Sequence, residues 1–219
     1  MVLAPSAFAD TWPPQQGDLV LGVQAESGTG SNTNLFFNLG SATDLRDTPN
    51  AGLLGNIAAE MTATYGAGWE SRTDLYFGVI ANFSNAPLSG PSAGGVTNGD
   101  PSRTIYASRA TASDGGSLAF SGFNQSGLGT VATILGGQYD MLATLTANGN
   151  NVATVSSAVP ATFANGWTQY NPFITAGVQG AAYTVIGGGI QNTFTGGGDA
   201  KVDIQRILPT TGKGSLVAT

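Results

Sequence analysis

The spacing of hydrophobic positions changes several times along the chain, and each change predicts an element. Residues 18–26 (DLVLGVQAE) and 34–39 (NLFFNL) are short β-favouring runs, and the polar cluster at 27–32 between them supplies a turn, so a hairpin is expected. Residues 44–50 read as a loop. The period then lengthens. Leu53, Leu54, Ile57, Ala58, Met61 and Tyr65 recur three and four residues apart, which predicts an amphipathic helix over about 53–65 with Gly66 as its stop. Trp69 leads through Glu70-Ser71-Arg72-Thr73-Asp74 into an apolar strand at 75–81. The Pro- and Gly-rich stretch 82–100 is expected to be a long contact loop.

Residues 103–109 return as a strand. A second helical period follows in Val131, Ile134, Leu135, Gln138, Tyr139, Leu142 and Leu145, placing a helix at about 126–146 that is kinked or closely packed at Gly136-Gly137. Residues 152–159 read as extended and 164–172 as an aromatic turn. Residues 181–186, 190–194 and 201–208 read as strands, the last with Val202, Ile204 and Ile207 toward the core, and 216–217 begin one more. The fold class expected is mainly β, a β-sandwich or jelly-roll-like fold with two helical insertions. Residues 10–219 are read as one β-rich domain, preceded by a distinct segment at 1–9.

Composition then narrows the chemistry. The 219 residues include 33 Gly, 7 Lys plus Arg, 13 Asp plus Glu, and neither His nor Cys. A charged fraction of 9% is far below the roughly 25% of an ordinary globular domain. Lacking histidine, the chain has no side chain that ordinarily titrates near neutral pH, and lacking cysteine it can form neither disulfides nor thiolate metal sites. Its seven basic residues are scattered and its net charge is −6, which argues against nucleic acid as a partner. No window reaches the ~20 apolar residues of a membrane-spanning helix.

The candidate chemistry is thin. Asp44 and Asp47 flank Arg46 without the alternating oxygen ligands of a calcium loop, so a solvated turn is expected. Gly196-Gly197-Gly198-Asp199 is a single partial copy of a calcium-binding repeat and reads better as a hairpin turn. Glu60, Glu70 and Asp74 have simpler assignments than a glycosidase pair: Glu60 on a solvated helix face, and Arg72 with Asp74 fixing the turn before the strand. The expectation is no catalytic residues, no cofactor and no metal. Tyr76, Tyr106, Trp167 and Tyr170 are the candidates for an aromatic platform that takes sugar rings, although core packing is the commoner fate of such residues.

At the N-terminus, Ala7-Phe8-Ala9 has the A-x-A pattern that ends a secretory signal peptide. The ordered runs GDLVLGVQA, NLFFNLGSA, NIAAEMTATYGAGWESRTDLYFGVIAN, RTIYASRA and GGIQNTFTGGGDAKVDIQRILPTT resemble exported bacterial proteins of the PEP-CTERM type over residues 17–211, most specifically at 69–82. The resemblance implies export, a β-rich fold and a place at the cell surface or in extracellular matrix. The Pro-Glu-Pro motif, apolar segment and basic tail of that family do not follow Thr219. The leading functional expectation is a secreted structural protein whose partners are copies of itself, assembling into a filament, sheath or matrix by strand addition from Val2, Leu3, Ala4 and Phe8. The alternative is a module that binds matrix polysaccharide.

Overall fold

The computed structural model describes residues 12–48, 56–83, 96–97, 100–101, 103–111, 115–117, 120, 125–145, 155–170, 189–194, 200–208 and 216–218. The fold is mainly β with helical insertions. Strands β1 (Asp18–Ala25), β2 (Thr33–Ser41), β3 (Leu75–Asn82), β6 (Ile105–Thr111), β7 (Val155–Pro160), β8 (Gln191–Thr193), β9 (Lys201–Ile207) and β10 (Leu216–Ala218) form one antiparallel sheet. Its order is β10-β9-β6-β3-β1-β2-β7, with β8 beside β3. Between β3 and β6 in the chain, β4 (Val96–Thr97) and β5 (Asp100–Pro101) make a separate two-stranded ribbon.

Alternation along β1, β2, β3, β6 and β9 sends apolar side chains to both faces, and helical segments cover both. Leu21 and Val23 of β1 and Phe77 and Val79 of β3 join Met61 and Tyr65 of helix α2 (Ala58–Tyr65) on one face. Val20 and Ile80 face the other way, onto Val131, Leu135 and Leu142 of helix α3 (Gln125–Ala143). Consequently β3, in the middle, is buried along its whole length.

Both expected helices are present over narrower spans. Helix α2 begins where Asn56 Oδ1 accepts from the Ala58 N–H, and it ends at Gly66, whose φ of +91° suits glycine. Residues 53–55 lie outside the described part. The first part of the loop expected over 44–50 instead belongs to a short helix, α1 (Ala42–Asp47), started by Ser41 Oγ accepting from the Asp44 N–H. Six residues are too few to reveal a helical period, so pattern alone misses it. The aromatic turn at 164–172 contains one helical turn, α4 (Trp167–Tyr170). In β9, Val202 and Ile204 turn to the α2 face and Ile207 to the α3 face. The strand expected at 181–186 lies outside the described residues.

The sheet forks at β3. Its first half pairs with β8 (Tyr76 with Thr193, Gly78 with Gln191) and its second half with β6 (Ile80 with Ala107, Asn82 with Ile105). At the branch the Ser108 hydroxyl accepts from the Val79 N–H and donates to the Ile190 carbonyl, both at 2.6 Å. A side chain thus stands in for the ladder partner that each backbone group loses where the strands diverge.

Candidate functional site

Two places in the sheet carry distinctive chemistry, one at the β6–β9 side and one at the β7 edge. At the first, Asp100 of β5 has a fully buried carboxylate. Arg46 of α1 approaches it with Nη1 at 2.8 Å, Arg206 of β9 pairs with it, and the Tyr106 hydroxyl of β6 donates to it. Tyr106 and Arg206 are direct cross-strand partners, so the β6–β9 register itself positions two of the three groups. Burial, reinforced by the neighbouring Asp100, pushes the Tyr106 hydroxyl's pKa above the ordinary phenol range.

Beside this cluster lies a cavity of about 370 Å³ with Leu19, Leu45, Val202 and Ile204 among its apolar walls and Arg46 and Asp203 among its polar ones. The Asp203 carboxylate accepts the backbone N–H groups of Gly115 and Ser117 at 2.8 and 2.7 Å. Partial burial alone would raise its pKa, but these N–H donors outweigh that effect and hold it below the usual carboxylate value. Arg46 also grips its neighbour Asp47 through Nε and Nη2, both at 2.6 Å.

At the other end, β7 pairs with β2 over six positions, from Thr33–Pro160 to Asn38–Val155, and is the last of the described strands in the sheet order. No residue from 155 to 166 is charged. A notch of about 670 Å³ lies along its end, lined by residues that include Asn32, Thr33, Ala158 and Thr162. Phe163, three residues past β7, is 40% exposed and is the only exposed large hydrophobic side chain among the described residues.

The three aromatic candidates whose side chains are described do not make a shared platform. Tyr76, Tyr106 and Trp167 are all buried, and Tyr106 packs on the α2 face while Trp167 packs on the α3 face. Trp167 lies against the registered pair Gly22 and Gly78, where an added Cβ would come within 2.1 and 3.2 Å of the indole. Its Nε1 donates to Gln191 Oε1, which also accepts from Gln24 Nε2. Thr168 extends this network to Gln24 and Asn34. Neither the Tyr170 side chain nor the candidate assembly residues Val2, Leu3, Ala4 and Phe8 are among the described parts, and 196–199 are likewise outside.

Arg72 does fix the turn before β3. It chelates Asp74 at 2.9 Å through Nε and Nη2, and it donates to the carbonyls of Ser27, Thr29 and Tyr65. The Arg72 guanidinium holds the Asp74 pKa down to about 2. Among the described residues no three acidic side chains gather as a metal site, and no helix is long and apolar enough to cross a membrane. The Asp100 cluster escaped sequence reading because its members are 46, 100, 106 and 206 in the chain and only the sheet register joins them. Comparison of the chain with protein families, with curated proteins and with solved structures gives no match.

Proposed function

We infer that this chain is a non-enzymatic, exported structural protein of a bacterial exterior, of the PEP-CTERM type by sequence resemblance, and that copies of it assemble by strand addition at β7. The observation that carries the reading is the character of that edge. Natural edge strands are usually guarded by charged side chains, internal prolines or bulges, whereas VSSAVP has no charge and its proline is the last residue. The notch and the exposed Phe163 next to it provide apolar surface for an incoming chain.

The incoming strand in this account is the segment containing Val2, Leu3, Ala4 and Phe8 of a neighbouring copy. Pro5 has no N–H, so its backbone must face away from β7. Alternation then turns the backbone groups of Val2, Ala4, Ser6 and Phe8 toward the ladder. A donor on one surface and an acceptor on another make a heterologous contact, which propagates into an open filament unless the rotation closes it. A polysaccharide module is less well supported, because Tyr76, Tyr106 and Trp167 are occupied in the core. Deleting residues 1–10 is expected to leave a folded monomer that forms no filaments. Unchanged assembly in electron micrographs would overturn strand donation.

A further inference from the structure

We propose that the cavity between α1, β6 and β9 binds a small organic carboxylate with an apolar body, held on the Arg46 guanidinium in place of the Asp47 carboxylate. Arg46 is already set for such a ligand. Its Nη1 lies 2.8 Å from the buried Asp100 carboxylate, and its Nε and Nη2 present the two parallel N–H donors that a planar carboxylate accepts. The present occupant of those donors is weakly committed: the Asp47 side chain is 58% exposed and belongs to the adjacent residue. Exposed ion pairs are worth little, and a displaced Asp47 returns to water.

The walls determine what kind of carboxylate is preferred. Val202 and Ile204 are only partly buried, and with Leu19 and Leu45 they offer apolar surface that a ligand body would cover. Asp203, the other acid on the wall, has its charge answered by the Gly115 and Ser117 N–H groups, which lessens its repulsion of an anion. Exchange of one carboxylate for another on Arg46 leaves the cluster's charge unchanged. Three strands separate β6 from β7, so occupancy of this cavity and assembly at the edge are separable properties.

Equilibrium dialysis of the full chain against radiolabelled benzoate tests the site whether or not the protein is assembled. Saturable binding is expected, displaced by unlabelled benzoate and not by benzyl alcohol, which has a similar body without the charge. Asp47→Asn removes the competing carboxylate and should tighten binding, by up to about fivefold. Ile204→Trp fills the cavity and should abolish binding; if that variant does not fold, the Asp47→Asn result decides alone. Absence of saturable uptake, equal displacement by benzyl alcohol, or an unchanged affinity in Asp47→Asn would each overturn the proposal.

Discussion

At the β6–β9 side of the sheet, Asp100, Arg46, Arg206 and Tyr106 close on one another around a buried carboxylate, whereas the β7 edge has no charged residue at all from 155 to 166. The chain has few charges, and the pairs that Arg46 and Arg206 make with Asp100 tie distant segments together. Arg72 does the same at the β1–β2 turn, drawing Ser27, Thr29, Tyr65 and Asp74 to one guanidinium. Low charge here has two consequences. Ionic groups act inside the fold, and the sheet edge is left without the repulsion that normally keeps edges apart.

The charged side should break first. Asp100→Ala leaves Arg46 and Arg206 without their shared buried counter-ion and is expected to cost about 3–5 kcal/mol in urea unfolding. Asp74→Asn probes the more exposed clamp and should cost about 1 kcal/mol at neutral pH after allowance for solvent screening. Its pH dependence has a definite sign. Because the folded pKa is depressed from 3.8 to about 2, the stabilisation is present above pH ~4 and is lost as pH falls toward 2. Melts of the parent and Asp74→Asn should therefore converge over that window.

Gln138 of α3 is fully buried, and among the described residues neither its Oε1 nor its Nε2 has a hydrogen-bond partner. Gln138→Met removes that unanswered polarity and should raise stability by up to about 1 kcal/mol, read from the denaturation midpoint. Phe163→Asp places a charge beside the β7 edge. It should shift stability by less than about 0.5 kcal/mol, since the side chain is already exposed, yet abolish assembly by charging the edge. A pelleting assay on the two proteins checks this.

Local features of the molecule were readable from the sequence. The three- and four-residue spacing that ends at Met61 and Tyr65 identified α2, and the run through Leu142 identified α3, because burial on one side of a helix writes its period into the chain. Arg72 and Asp74 were legible for the same reason, being two residues apart. What could not be read depends on register. Gly22 and Gly78 look like defects in two strands until their pairing shows them making room for Trp167. Asp100 looks like part of a glycine-rich loop until β6 and β9 bring Tyr106 and Arg206 together. Aromatic composition likewise says nothing about which face a ring takes, and Tyr106 and Trp167 went to opposite ones.

Strand addition at β7 can be tested without background, because the chain contains no cysteine. Copies carrying Phe8→Cys would be mixed with copies carrying Ser157→Cys, allowed to assemble and oxidised. A mixed disulfide between the two kinds of copy is expected, in a yield that falls when Phe163→Asp is added to the Ser157→Cys copy. Filaments that assemble normally but give no mixed disulfide would contradict it.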